Sequence, residues 1–219
     1  MTPAALVTGG EGGLAAALQQ ELSAAGYAVH APGRGQMDVT STAAVQSYFA
    51  GLERLDLLVC NAGLTRDKLV TSMEPAEFDL VLDTCLTGAF KCARAALKLM
   101  SRQRQGHILF IGSFSGWSGP AGQASYAAAK AGLLGLTQSL AAEYGGRNVR
   151  VNCLLPGFME TPMTEALAPE RKAAFKSAHT LGRFNTPLEA AKFAVFLDRQ
   201  LPHTSGQVFN LDSRVHRPG

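Results

Sequence analysis

Short apolar runs alternate with longer amphipathic stretches along the whole chain, and this alternation narrows the fold more than any other feature. Ala4–Val7, Tyr27–His30, Leu55–Cys60, His107–Ile111, Val149–Leu155 and Gln207–Leu211 read as strands. Leu14–Ala25, closed by Gly26, reads as a helix, as do Pro75–Arg102, Ser125–Tyr144 and a stretch opening at Thr186. At that last opening Thr186 suits the N-cap, Pro187 the first helical position, and Glu189 can close a capping box. Strands buried on both faces and separated by helices pack as a parallel sheet covered on both sides. The predicted class is therefore α/β, a doubly wound parallel sheet. One interval is too short for the pattern. Only Ala31–Gln36 separates the second strand from Met37-Asp38-Val39, and a parallel crossover needs roughly a dozen residues. The sheet is expected to be shortened after the second strand, with the next strand missing and about six left.

No repeat or linker divides the 219 residues, so the expectation is one domain over 1–219. Charged residues make up 17% and hydrophobic ones 47%, against a usual charged share of about 25%. That composition argues against disorder and coiled coils. The net charge of +3 comes without a basic block, which argues against nucleic acid as a partner. The start, Met1–Gly10, has no positive segment and soon breaks into glycine, unlike an export signal. No apolar run approaches the ~18–20 residues of a membrane helix. A cytoplasmic protein with no membrane partner is expected. Cys60, Cys85, Cys92 and Cys153 show no zinc spacing and read as reduced, buried thiols, with no metal site.

The first strand runs into Thr8-Gly9-Gly10-Glu11-Gly12-Gly13-Leu14-Ala15, which opens a helix. Such a turn lets backbone N–H groups and the positive helix end face a pyrophosphate; by itself it also reads as a tight strand-to-helix turn. Asn61-Ala62-Gly63 ends the next strong strand with small residues past which a flat ligand could approach, or forms a plain polar turn. Tyr126 and Lys130 are four apart on a helix and share a face. An ammonium beside a phenol stabilises the phenolate, which suits the phenol to act as a general acid. Ser113 ends the preceding strand and could place a hydroxyl at the same point. A surface ion pair and a turn serine are the plain alternatives.

Together, Thr8-Gly-x-x-x-Gly13, Asn61-Ala-Gly63, Ser113, Tyr126-x-x-x-Lys130 and Pro156-Gly157 resemble the short-chain dehydrogenase/reductase family, from Leu6 to Asp212. Within it, Val151–Thr164, Leu181–Phe184 and Ser205–Val208 are most similar to 3-oxoacyl-acyl-carrier-protein reductases. The resemblance implies a Rossmann-like fold and a nicotinamide cofactor across the strand ends. It makes Tyr126 the proton donor to a ketone, Ser113 the group that polarises the carbonyl, and Lys130 the holder of the nicotinamide ribose. It assigns Gly9, Glu11, Gly13 and Leu14 to the phosphate turn, and Asn61, Ala62 and Gly63 to the adenosine side. Asp38 and Val39 match an acidic-apolar pair against adenine, although Asp38 also reads as a turn residue. Pro156, Gly157, Met159 and Thr161 match the segment over the nicotinamide. Arg104 and Arg147 match cations that dock an acidic carrier protein, or are ordinary surface charges. Phe114, Trp117, Phe158 and Met163 could supply an apolar substrate pocket. The helices from Pro75 and Ser125 match those that build four-helix interfaces in the family, which implies a homotetramer or homodimer.

The sequence departs from the family at four points. Cys85, in Cys85-Leu-Thr-Gly-Ala-Phe90, stands where the family carries a catalytic Asn, and a thiol is a weaker donor and acceptor. No acid follows the second strand to bind a ribose hydroxyl, and Arg34 could meet a 2′-phosphate, which favours NADP over NAD. Glu11 opposes that choice by repelling the phosphate. Asp212 is followed by Ser213-Arg214, where relatives carry two glycines. The leading expectation is reduction of a 3-oxoacyl thioester, small or carrier-bound. The alternatives are a sterol, polyol or small diketone as substrate, or a cofactor-binding chain whose catalysis has decayed.

Overall fold

The computed structural model describes residues 2–161, 164 and 169–215. The glycine turn joins β1 (Ala4–Val7) to α1 (Gly13–Ala24), and β2 (Ala28–His30) leads to α2 (Thr42–Ala50). β3 (Leu57–Cys60) precedes α3 (Pro75–Leu82) and α4 (Gly88–Gln103). β4 (Gly106–Ile111) precedes the short α5 (Ser115–Ser118) and the long α6 (Ala124–Tyr144). After β5 (Val149–Leu155) come α7 (Pro169–Ala178), α8 (Pro187–Gln200) and β6 (Val208–Asn210).

The strands are all parallel and run in the order β2-β1-β3-β4-β5-β6. The missing strand is indeed missing. The chain turns at Gly33–Met37 and crosses back through α2 to β3, which leaves β2 as the sheet edge. Side chains alternate between faces along a strand, and both faces are buried. Ala5, Val7, Leu57, Val59, Leu109 and Ile111 pack with Leu18 and Leu22 of α1 and Ala194 and Leu197 of α8. Leu6, Leu58, Ile108, Phe110, Val151 and Cys153 pack with Phe49 of α2, Ala96 and Met100 of α4, and Leu133 of α6. Each buried leucine contributes about 1.5–3 kcal/mol, so the continuous apolar strands force a helix layer onto each side. All four cysteines are buried free thiols; Cys60, Cys92 and Cys153 lie in the α2–α4–α6 layer, and Cys85 in a separate cluster with Val81 and Ala129. Burial pushes the Cys92 and Cys153 thiols up to about 12. Among the described residues no helix is long and apolar enough to cross a membrane.

One helix departs from expectation. Pro75–Arg102 is not continuous, because a π-helical turn, Asp83–Thr87, separates α3 from α4. Gly88 follows it with Val39 so close that a Cβ would lie 2.8 Å from Val39 Cγ2. The extra residue in that turn rotates Cys85 into a buried position, 1% exposed. Such bulges often mark functional sites. The amphipathic period on either side is unbroken, so nothing in the pattern announced it. The start of α8 follows expectation: Thr186 Oγ1 accepts the Glu189 N–H at 3.2 Å, and the Glu189 carboxylate accepts the Thr186 N–H at 2.8 Å.

At the amino ends of the strands a buried polar cluster ties α8 to the sheet. The Asp198 carboxylate accepts from His107 Nδ1 at 2.8 Å, from Arg150 Nη2 at 2.8 Å and from the Tyr27 hydroxyl. Asn152 Nδ2 meets His107 Nε2 at 3.1 Å. Burial pushes the Asp198 carboxyl up, but the bonds from His107 and Tyr27 and the Arg150 charge outweigh it and hold the group below the usual carboxylate range. Burial pulls His107 below the ordinary histidine value.

Candidate active site

Strand order reverses between β1 and β3, and open α/β sheets bind ligands beyond the carboxyl ends of their strands at such a point. A cleft of about 660 Å³ opens there. Beneath its lining lies Thr8, which is 2% exposed. The Thr8 hydroxyl accepts the N–H groups of Asn61 at 3.0 Å and Ala62 at 2.9 Å, joining the ends of β1 and β3. Asn61 Nδ2 donates back to the carbonyl of Thr8 at 3.1 Å. Asn61 thus holds the glycine turn from below.

The turn leaves its backbone bare for a reason of space. Gly9 has φ +68°, and a Cβ on it would lie 2.9 Å from Ala62 Cα; one on Gly10 would lie 2.1 Å from the Ala31 carbonyl oxygen. No side chain caps α1 at Gly12, so its first N–H groups and positive dipole end are available to an anion. The residues present therefore fit the pyrophosphate of a dinucleotide.

Gly9, Glu11, Gly13, Leu14, Arg34, Asp38 and Val39 line this half of the cleft, with Asn61, Ala62 and Gly63. Asp38 serves its local turn: its carboxylate accepts from the Thr40 hydroxyl at 2.7 Å and the Thr40 N–H at 2.9 Å. Those two bonds, helped by Arg34, hold the carboxyl below the usual range. Arg34 Nε reaches Asp38 at 3.2 Å with its side chain 74% exposed. The Glu11 carboxylate lies over Gly33, where a Cβ would meet Glu11 Oε1 at 2.4 Å. An acid therefore does stand beside the end of β2, supplied by the glycine turn.

Ser113, Tyr126, Lys130, Pro156, Gly157, Met159 and Thr161 line the other half. Lys130 is the organising residue there. Its side chain is buried, and Nζ donates to the Ile111 carbonyl at 2.7 Å, which pins α6 to the end of β4. Nζ lies 5.5 Å from the Tyr126 ring centre. Tyr126 stands one helical turn before Lys130, and Ser113 two residues past Ile111, so this bond ties together the two elements that bring both residues to the cleft. Burial pulls the Lys130 ammonium down, but Tyr126 and the thiols of Cys85, Cys153 and Cys60 favour the charged form and hold it above the ordinary lysine value. Ser113 Oγ accepts the Ser115 N–H at 3.2 Å. Gly112 keeps β4 close to β5, because a Cβ there would lie 2.8 Å from Cys153 Sγ.

Three sets of expected residues sit elsewhere. Cys85 lies behind the cleft wall. Its Sγ accepts the Leu64 N–H and donates to the Leu64 carbonyl, both at 3.4 Å, so it braces a cleft-lining loop. Arg104 and Arg147 come together at the amino ends of β4 and β5, with Arg104 Nη2 3.4 Å from the Gly146 carbonyl. That is the edge of the sheet away from the cleft, and neither lines it. Of the apolar candidates among the described residues only Phe158 lines the cleft, stacked on Phe175 at 5.2 Å. Phe114 lies under Arg214, and Trp117 packs on the core. Met163 lies outside the described residues. Phe175 and Arg214 also line the cleft; the periodicity gave no sign of the first, and the departure after Asp212 marked the second.

The family model described as Enoyl-(Acyl carrier protein) reductase matches residues 9–216. The 3-oxoacyl-acyl-carrier-protein reductase FabG of Aquifex aeolicus is 40% identical over 212 residues, covering 94% of this chain and 85% of that protein. Its counterpart in Escherichia coli is 37% identical over 235 residues, covering 97% and 96%. A crystal structure from Agrobacterium tumefaciens, of a protein provisionally assigned as a gluconate dehydrogenase, superposes with a TM-score of 0.91 at 32% identity, covering 96% and 94%.

Proposed function

The chain belongs to the short-chain dehydrogenase/reductase family and is an NAD(P)-dependent oxidoreductase, and on that premise we propose that it reduces the ketone of a 3-oxoacyl thioester to an alcohol. The observation that supports this reading is that Ser113, Tyr126 and Lys130 line one cleft, with Lys130 bonded to the Ile111 carbonyl at the end of β4. The likeness to the two FabG proteins over most of both chains supports the thioester as substrate.

The nicotinamide, when bound, supplies the hydride. Gly9, Gly12 and Gly13 would hold its pyrophosphate, and Lys130 its ribose. Ser113 donates a hydrogen bond to the substrate carbonyl, and Tyr126 delivers the proton to the oxygen as it becomes an alcohol. Lys130 keeps its cation 5.5 Å from the Tyr126 ring centre, beside the cleft. Cys85 does not touch the reacting atoms; it holds the Leu64 loop against the site.

For the cofactor we favour NADP(H), because Arg34 faces the cleft with most of its side chain exposed. NAD(H) is the second reading, and the Glu11 carboxylate over Gly33 favours it. A small polyol or sugar acid is the second reading for the substrate, favoured by the gluconate dehydrogenase likeness. Phe90, 44% exposed on α4, supports association of subunits into a dimer or tetramer through that helix. A carrier docked at Arg104 and Arg147 would then serve the cleft of a neighbouring subunit.

The test is nicotinamide absorbance with acetoacetyl thioester and either cofactor. Tyr126→Phe is expected to lower turnover by about 10²–10⁴-fold with cofactor binding retained. Turnover unaffected by that change overturns the assignment. Cofactor bound without turnover on any ketone points to decayed catalysis.

A further inference from the structure

Arg214 occupies a position where a small residue would leave the substrate end of the cleft open. Its side chain is 17% exposed and lines the cleft together with Ser113, Tyr126, Phe158 and Phe175. Three contacts fix it in place. Nε lies 3.0 and 2.9 Å from the two carboxylate oxygens of Asp212, and Nη2 also bonds Oδ2. The guanidinium carbon stands 4.1 Å over the centre of the Phe114 ring, and Phe114 directly follows Ser113. Asp212 is itself anchored: its side chain is fully buried, it accepts the Arg214 N–H at 2.8 Å, and His179 Nε2 lies 3.1 Å away.

The fork to Asp212 uses Nε and Nη2, and Nη1 has no hydrogen-bond partner among the described residues. A planar guanidinium held before any ligand arrives, in a wall shared with Phe158 and Phe175, matches a carboxylate or phosphate and loses little entropy on binding it. Asp212 balances the charge, so selectivity comes from directed N–H donation at short range.

We propose that Arg214 is a specificity-determining residue that binds an anionic group of the substrate, a carboxylate or phosphate, at the Ser113 end of the cleft. This rests on the reading above that the ketone is held by Ser113 and Tyr126. The anion belongs either to the acyl chain or to the arm beyond the thioester sulfur.

Two substrate pairs test the proposal and separate the sources. Monoethyl 3-oxoadipate and ethyl 3-oxohexanoate have chains of equal length and differ by a terminal carboxylate. Acetoacetyl phosphopantetheine and acetoacetyl pantetheine differ by a phosphate. The wild type is expected to favour the anionic member of one pair by about 10–100-fold in kcat/KM, through KM, as a charge-assisted hydrogen bond allows. Preference in the first pair places the anion on the acyl chain, and in the second on the thiol arm. Arg214→Gln is expected to erase the preference, with its loss falling on the anionic member. Arg214→Lys, which keeps a cation beside Asp212, guards against a folding defect and should retain only part of the preference. Calorimetric titration of each pair needs no turnover, so it reads anion selectivity even if no ketone is reduced. Equal treatment of both members in both pairs by the wild type, or equal loss on both in Arg214→Gln, overturns the proposal.

Discussion

Thr8→Val isolates the joint on which the cofactor cleft is built. Threonine and valine have nearly the same shape, so the change trades a hydroxyl for a methyl and creates no cavity. What is lost is one acceptor that serves two N–H groups, at 3.0 Å from Asn61 and 2.9 Å from Ala62. An N–H left without a partner costs about 1–3 kcal/mol. Asn61 and Ala62 are only partly buried, so water recovers some of that, and a total of about 2–4 kcal/mol is expected. In a chain of this size each kcal/mol lowers Tm by about 2–4 °C, giving a fall of about 4–16 °C. Thr8→Ser keeps the acceptor and gives up one methyl, worth about 0.8 kcal/mol. Thermal melting by circular dichroism should therefore rank wild type just above Thr8→Ser and well above Thr8→Val. The valine variant should also show a raised cofactor KM, because Gly9 rests on Ala62. A valine variant melting within about 1 °C of wild type, or a serine variant falling as far as the valine one, would refute this account of the joint.

Arg34→Ala should raise the KM for NADPH by about two- to five-fold and leave NADH unchanged, since an exposed ion contact is worth up to about 1 kcal/mol; no change removes Arg34 from cofactor choice. Glu11→Gln should lower the NADPH KM by a similar factor, and an unchanged ratio of the two cofactors would show that the carboxylate over Gly33 plays no part. Cys85→Asn offers Leu64 a stronger donor and acceptor than a thiol and should raise kcat; an unchanged kcat means that the thiol braces the loop as well as an amide would. Asp198→Asn should lower Tm at neutral pH, by breaking a buried charged cluster worth about 3–5 kcal/mol, without altering kcat. The sign of its pH dependence follows from two depressed groups. His107 is pulled down by burial, so stability is lost as pH falls below its unfolded value of about 6.5. Asp198 is held below the usual carboxylate range, so its share is present above about 3.9 and is lost as pH falls through the lower folded value. Denaturant melts from pH 7 to pH 3 should show both steps, with the lower one missing in Asp198→Asn.

The six strands, helices α1, α6 and α8, the lost strand after β2 and the capping of α8 were legible, because each rests on short-range pattern or on a chain-length limit, whereas α5 and α7 were not read. Ala31–Gln36 cannot make a crossover whatever surrounds it, and the structure has six strands. The π-turn at Asp83–Thr87 was not legible. It sits beside the close packing of Gly88 on Val39, a contact between residues almost fifty positions apart.

The site divides in the same way. Local spacing alone put Tyr126 and Lys130 on one helix face, the glycines at a strand-to-helix turn and Ser113 at a strand end. Which partner each side chain takes was decided by the tertiary structure. Lys130 takes the carbonyl of Ile111, Cys85 turns to Leu64 rather than into the cleft, and Arg104 and Arg147 lie at the far edge of the sheet. Glu11 reached the end of β2, and Arg214 reached the ring beside Ser113, only because the parallel sheet gathers segments distant in sequence at its carboxyl edge. Periodicity is a property of neighbours along the chain, and it determined the elements. The reach and direction of long side chains depend on what the folded sheet sets beside them, and no spacing within the sequence records that.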